Sequence, residues 1–281
     1  GKGSNQAVAA GRTGVPTAFV GAVGDDAFAR EAAKFYAAEG ITAQFITKPQ
    51  HATATAGIIV NDAGQNEIVV ALGASAQIKP RDIDRNLIAN AKVVVCQHEA
   101  TLAINAHVFR LAHKAGVTTV LNPAPMRSDF DPAILKHTDV LIPNETEFVE
   151  LANLLGLAGK STLTEKKLAT LSDAALHRLC RAFGVPTVIV TLGKRGCLVS
   201  QADTATLIPA YRGIKVVDTT GAGDAFCGGF AAGLVKFNRD IIAAARFGNA
   251  VAGLSVTKRG TAPAMPTARE IARFLKQTRK T

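Results

Sequence analysis

Asp218-Thr219-Thr220-Gly221-Ala222-Gly223-Asp224-Ala225-Phe226 is the most informative stretch of this chain. A strand-like run, Ile214–Val217, leads into it, and an Ala/Gly-rich helical run through Gly228-Gly229-Phe230-Ala231 leaves it. The small residues between them let the backbone N–H groups of Gly221, Ala222 and Gly223 converge at a helix N-terminus. That arrangement binds anions, phosphate above all. Asp224 is out of place there, because a carboxylate repels an anion unless it has a task. Taking a proton from a hydroxyl nucleophile is such a task. Capping the helix is the plain structural alternative.

Outward from this stretch, short β-branched runs alternate with amphipathic Ala/Leu segments. The pattern predicts strands over 17–23, 57–61, 67–71, 93–97, 118–122, 140–143, 188–192 and 197–200. It predicts helices over 5–12, 26–39, 104–115, 145–154, 173–183, 222–236, 241–254 and 267–276. Strands separated by helices of this length indicate βαβ units and a mostly parallel sheet. Runs such as Val93-Val94-Val95-Cys96 suit strands covered on both faces. The segment 56–70 reads instead as a hairpin with Gly64 in its turn, serving as a flap over a site or as a sheet extension. No repeat or linker divides the chain, so residues 1–281 are expected to form one α/β domain.

Composition narrows the classes. Apolar residues make up 48% and charged residues 19%, which excludes a disordered chain. No run of about 18 apolar residues occurs, so no transmembrane helix and no membrane partner are expected. The net charge of +10 is unevenly placed: residues 1–100 are neutral, 101–200 carry +3 and 201–281 carry +7. The basic tail from Lys258 to Lys280 could serve nucleic acid, a solvated helix end, or attraction of a polyanionic nucleotide. Only Phe274 interleaves it, and no nucleic-acid motif is present, so no nucleic-acid partner is expected. The four cysteines, Cys96, Cys180, Cys197 and Cys227, form no CxxC pair and no zinc pattern, which suits reduced thiols in the cytoplasm.

Two further groups carry chemistry. Asn144 and Glu147 stand three apart at a strand-to-helix junction, so both can face one site. Their oxygens suit Mg²⁺, which keeps several waters, although Glu147 could equally cap the first turn. Lys2 and Asn5 supply donors and acceptors of the kind sugar hydroxyls need. Glu99, alone after a strand, reads as a solvated loop residue.

The string from Asp218 to Phe230 resembles the C-terminal signature of the ribokinase-like (PfkB) family of carbohydrate kinases, and Gly1-Lys2-Gly3-Ser4-Asn5-Gln6-Ala7 with Ala9-Ala10-Gly11-Arg12 resembles its N-terminal one. The likeness continues in order through Val23–Asp26, Leu121-Asn122-Pro123-Ala124-Pro125, Pro143–Glu147, Thr191–Gly196 and Val256–Gly260. It implies a ribokinase-like α/β fold with a mostly parallel central sheet flanked by helices, and a small β lid to which 56–70 contributes. It implies ATP-dependent phosphorylation of a sugar hydroxyl, D-ribose to ribose 5-phosphate first. A family kinase for another sugar or nucleoside, or an inactive sugar- or nucleotide-binding remnant, are the other readings.

Position by position, the resemblance makes Asp224 the base, and Gly221, Ala222 and Gly223 the anion hole. It puts Gly1, Lys2, Gly3, Ser4, Asn5, Glu99 and Asp224 on the sugar. Asn144, Thr191, Gly193, Lys194, Arg195, Gly196, Gly223 and Asn249 fall to ATP, with Arg195 turned to solvent. Asn144 and Glu147 would position Mg²⁺ through water. Asp218, Thr220, Ser255, Lys258, Gly260 and Ala264 would surround an activating K⁺, mostly through carbonyls, with Ala264 lacking the hydroxyl usual there. A homodimer is implied at full length. The family also places a strand before Gly1, with part of the sugar grip and of the lid. Residues 1–281 alone are therefore expected to be aggregated or molten, and about 40 upstream residues to restore folding.

Overall fold

The computed structural model describes residues 1–60, 66–159 and 162–278. The elements begin with α1 (Lys2–Gly11), β1 (Ala18–Val23), α2 (Ala27–Ala38), β2 (Thr42–Thr47), β3 (Thr55–Val60), β4 (Asn66–Ala71), α3 (Arg85–Asn90), β5 (Val93–Cys96), α4 (Leu102–Lys114) and β6 (Thr118–Leu121). They continue with β7 (Val140–Leu141), α5 (Glu145–Leu154), α6 (Glu165–Thr170), α7 (Asp173–Ala182), β8 (Thr187–Thr191), β9 (Cys197–Gln201), β10 (Thr204–Ile208), α8 (Ala222–Lys236), α9 (Ile241–Ser255) and α10 (Ala268–Thr278).

Six strands form the central sheet in the order β10-β9-β8-β7-β6-β5. The pairs β5–β6, β6–β7 and β7–β8 are parallel, and β9 and β10 close the other edge antiparallel. Successive side chains of a strand point to opposite faces, and here both faces are covered. Leu121, Leu141, Val188 and Val190 pack with α4, α5 and α7 residues such as Phe109, Phe148 and Leu176. Val120, Val140, Ile189 and Val199 pack on the other side with Phe226, Phe230 and Leu234 of α8. The strand residues therefore read as continuous apolar runs, as a doubly covered sheet requires. β1 and β2 form a separate parallel pair, and β3 and β4 an antiparallel one.

The helix starts follow from side-chain caps. Asp26, Ser172 and Asp240 accept N–H bonds from Ala29, Ala175 and Ala243, satisfying donors that a helix start leaves open. Asp26 does more. It also accepts from the N–H and hydroxyl of Thr53, and Ala74 N–H donates to Ala52 O. The two strands of the hairpin are thus tied together at their base against α2.

The structure differs from the sequence expectation in particular places. Ile214–Val217 is not a strand. The N–H groups of Val217 and Asp218 both donate to Val256 O, and Val216 and Val217 are exposed. β2 and β10, with the six-residue helices α3 and α6, escaped the sequence reading, because each is short and its polar residues weaken the periodicity. The predicted hairpin turn, 61–65, lies outside the described residues.

The last helix, α10, is anchored by Glu270. Its carboxylate accepts from Lys258 Nζ at 2.7 Å and from Thr267 N at 2.8 Å. The Lys258 hydrogen bond first, and Thr267 next, pull its pKa from 4.5 down to about 2. A depressed carboxylate contributes stability above its unfolded pKa and loses it as pH falls through the folded one. Glu270→Gln is therefore expected to destabilise at neutral pH, by an amount that shrinks between about 4.5 and about 2. Denaturant melts across that range check it. A difference independent of pH would show that the pair contributes nothing.

Candidate active site

In a parallel sheet the binding crevice lies beyond the carboxyl ends of the strands. Those ends carry the polar residues here. Gln97 follows β5, Asn122 follows β6, Asn144 lies three residues past β7, and Thr191 ends β8. Asn144 and Thr191 are joined by an isolated parallel bridge. α8 enters the same space with its N-terminus.

The turn before α8 needs glycine at its N-cap. Gly221 has φ 78°, a left-handed conformation that costs other residues energy. No side chain caps this helix, so its N-terminal end is left for a ligand. Ala222 departs from the expected anion hole, since its N–H donates to Thr219 O at 3.1 Å within the turn. Asp224 does not cap the helix either. Its carboxylate, buried in the first turn of α8, faces α1. Oδ2 accepts from Asn5 Nδ2 at 2.8 Å, and Oδ1 from Gln6 Nε2 at 3.0 Å.

The turn and these strand ends enclose a cavity of about 140 Å³. Lys2, Asn144, Glu147, Thr191, Gly221, Ala222, Gly223 and Asp224 line it together. Lys2 is the basic side chain among them, and its own N–H is fixed by Glu99 Oε2. Glu99 also sits against Gly1, where an added Cβ would meet its Oε2 at 2.6 Å. Burial pushes the Glu147 carboxyl up, against the Asn144 N–H bond and the charge of Lys2, while Asp224 adds to the rise. Asn144 and Glu147 form a reciprocal capping box, Asn144 Oδ1 accepting Glu147 N–H and Glu147 Oε2 accepting Asn144 N–H. The capping alternative and the facing of both residues toward one site thus hold together. Among the described residues no three His, Cys, Asp or Glu side chains cluster as direct metal ligands. A half-buried carboxylate with one oxygen engaged, beside an amide, fits a Mg²⁺ ion that keeps its own water shell.

The loop around Asp218 is stitched to the end of α9. Asp218 Oδ1 accepts from Thr220 N and Oδ2 from Gly260 N, both at 2.9 Å. These bonds, Gly260 first, hold its pKa below the ordinary carboxylate range. Ser255 Oγ donates to Ala252 O, and Ala264 N–H donates to Thr261 O. Lys258 is drawn away to Glu270, so its ammonium does not occupy the loop as a competing cation.

Other predicted site residues lie further off. Gly3 and Ser4 stand on α1, and a Cβ on Gly3 would meet Gln97 Oε1 at 2.7 Å. Lys194 and Arg195 are exposed on the turn after β8, Arg195 lying 3.7 Å from Asp173. Gly193 is exposed on that turn too, whereas Gly196 is buried, and a Cβ there would come within 2.0 Å of Ile208 O. The Asn249 amide is engaged by the carbonyls of Ile208 and Pro209, at 3.2 and 3.3 Å. Four residues without a role in the sequence reading join the site. Cys227 lines the cavity one turn beyond Asp224, and burial and the Asp224 charge push its thiol pKa well up. Gln6, Gln97 and Asn122 form a chain of amides behind Asp224. For Gln97 and Asn122 the signal was an amide directly after an apolar strand, as in Val-Val-Val-Cys-Gln, whereas Gln6, inside α1, carried no such signal.

Known proteins resemble this chain over nearly its whole length. The family model described as "pfkB family carbohydrate kinase" matches residues 1–268. A ribokinase of Staphylococcus aureus (strain COL) is 35% identical over 96% of this chain and 86% of its own. A ribokinase of Giardia lamblia has a similar structure, with TM-score 0.87 and 31% identity over 99% of this chain and 88% of that one. An Arabidopsis thaliana ribokinase, solved with ribose and ATP, has TM-score 0.85 and 30% identity over 98% of this chain and 87% of that one. With a cavity that pairs a helix N-terminus with a buried carboxylate, and a family match spanning nearly its whole length, this chain belongs to the pfkB family of carbohydrate kinases.

Proposed function

We propose that the chain transfers the γ-phosphoryl group of ATP to D-ribose, at its primary hydroxyl, giving ribose 5-phosphate and ADP. The observation that carries this reading is the Asp224 carboxylate, buried at the N-terminus of α8 beside Lys2 and Glu147. The names of its relatives point to ribose and ATP. Asp224 takes the hydroxyl proton as the oxygen attacks. Asn5 and Glu99 grip the sugar, with Gly1, Gly3 and Ser4 as the pocket wall. Lys2 and the N–H groups at Gly221 and Gly223 receive the negative charge of the phosphoryl group in flight. Mg²⁺, held through water by Asn144 and Glu147, would neutralise the ATP phosphates. Thr191, Gly193, Lys194, Arg195 and Gly196 border the nucleotide, and Asn249 holds the chain near it.

An ADP-coupled assay with D-ribose, 2-deoxy-D-ribose and adenosine as separate substrates tests this. Ribose is expected to give the highest kcat/KM, with ribose 5-phosphate as product by mass. Faster turnover of another acceptor would reassign the substrate, and no turnover of any would leave a binding protein.

The cation loop makes a second expectation. Activity at fixed ionic strength should be higher in KCl than in NaCl or choline chloride, because the Asp218 loop orders the turn that opens α8. Equal rates in the three salts would remove the cation from the mechanism.

The hairpin belongs to this proposal as a lid over the sugar, within one domain. Its exposed Ile59, Val69 and Val70 are apolar surface that a homodimer would cover, which sedimentation would detect. Four free cysteines suit the cytoplasm, and among the described residues no helix is long and apolar enough to cross a membrane. Nucleic-acid binding is not part of the proposal, and filter binding at two salt concentrations tests that.

A further inference from the structure

The Asp224 carboxylate is held from behind by a directed chain of amides. Gln6 Nε2 donates to Asp224 Oδ1 and to Asn122 Oδ1, both at 3.0 Å, so both of its hydrogens are in use. Gln97 Nε2 donates to Gln6 Oε1 at 2.7 Å. Asn122 Nδ2 donates to Ile142 O at 2.9 Å. Asn105 Nδ2 donates to Gln97 O at 2.6 Å, fixing the end of β5. Gln6, Asn122 and Asp224 are all buried.

The direction of every amide in this chain is forced. A carbonyl oxygen and an ionised carboxylate can only accept. Ile142 O therefore takes the Asn122 NH₂, which leaves Asn122 Oδ1 to accept from Gln6. Asp224 makes the same demand on Gln6 from the other side. Gln6 Oε1 must then accept, and Gln97 supplies the donor. Reversing one amide would place two donors or two acceptors face to face.

We propose that Gln6 is a positioning residue for phosphoryl transfer: with Gln97 and Asn122 it holds the Asp224 carboxylate in the rotamer that faces the acceptor hydroxyl. Its donors are neutral, so they fix the carboxylate without the charge compensation that a lysine or arginine would bring. Gln6 does not line the cavity, so it acts on the chemical step and not on the grip of the sugar. A hydroxyl and its base must align within a narrow range for proton transfer. This inference rests on Asp224 being the base.

The test measures kcat and KM for ribose in Gln6→Met, Gln6→Glu and Gln97→Met, with thermal melts of each. Gln6→Met removes the donor, whereas Gln6→Glu keeps the shape and replaces the NH₂ with a second carboxyl facing Asp224, which donates only where it holds a proton. The fold-change expected from losing a hydrogen bond to a charged group is about ten- to a hundredfold in kcat. The ribose KM should stay within about twofold, since the sugar contacts remain. Gln97→Met, one bond further away, should lower kcat by a smaller factor, about three- to tenfold, again at constant KM. A folded Gln6 variant with near-parental kcat overturns the proposal. So does a rise in KM that accounts for the loss, because it would make Gln6 a sugar residue. If neither Gln6 variant folds, Gln97→Met decides, and an unchanged kcat there counts against the relay. Asp224→Asn in the same series separates the two ideas. If it remains active the base assignment falls, whereas if it is inactive and the Gln6 variants are normal only the relay falls.

Discussion

Asp224→Asn is expected to lower kcat by at least ~10²-fold, the low end for loss of a general base, while nucleotide binding persists. The substitution is nearly isosteric, but it removes the proton acceptor. It also breaks a match in hydrogen bonding. Both carboxylate oxygens accept from amides, Asn5 and Gln6. An asparagine has one acceptor and one NH₂, so one of those two donors loses its partner. The loss is therefore in chemistry and alignment together, and the buried donor left without an acceptor should also lower the melting temperature somewhat, so kcat is compared well below the melt. Single-turnover kinetics with a nucleotide-binding control check it. Activity within a few-fold of the parent would show that Asp224 is not the base.

Gly228→Ala is expected to be costly despite adding one methyl group. A Cβ at this position would stand 2.2 Å from Gln6 O, 2.7 Å from Ala9 Cβ and 3.1 Å from Ala10 N. Two of these atoms belong to the backbone of α1, so no side chain can swing aside, and α1 must move away from α8. Overpacking of this kind costs about 1–3 kcal/mol and occasionally more. In a chain of this size, roughly 2–5 °C of melting temperature is expected to go with it. Function should suffer beyond stability, because α1 carries Lys2, Asn5 and Gln6 and α8 carries Asp224. We expect kcat at 25 °C to fall by about tenfold or more, through misplacement of the base. Differential scanning calorimetry and steady-state kinetics give the two numbers. An unchanged melting temperature would mean that the helices accommodate the methyl group without separating.

These cases mark what was legible in one dimension. The turn and helix around Asp224 could be read because their parts are local: small residues for the turn, then Ala and Gly for a tightly packed helix. The parallel strands β5 to β8 were legible because both faces of each are covered, which writes an unbroken apolar run into the sequence. β2 and β10 were not, because each is short and its threonines and other polar residues blur the strand period. Ile214–Val217 shows the opposite failure. Its β-branched residues have strand propensity, yet the Val217 N–H, with that of Asp218 beside it, found the carbonyl of Val256, nearly 40 residues away in sequence. Propensity states a preference, and the tertiary partner decides whether it is met.

The site divides in the same way. By itself the sequence determined the residue types the chemistry needs: a glycine at the left-handed N-cap, a carboxylate in the first turn of α8, and an Asn and a Glu three apart. Those are nearest-neighbour requirements of backbone geometry. Only the tertiary structure decided which polar groups meet. It brought α1 against α8, turned Gln6 from an unremarkable amide into the partner of Asp224, and put Cys227 on the cavity wall. It also engaged Asn249 with two backbone carbonyls. A hydrogen bond needs a donor and an acceptor within about 3 Å, and residues 116 and 218 positions apart, as Asn122 and Asp224 are from Gln6, satisfy that condition only once the sheet has stacked their segments together.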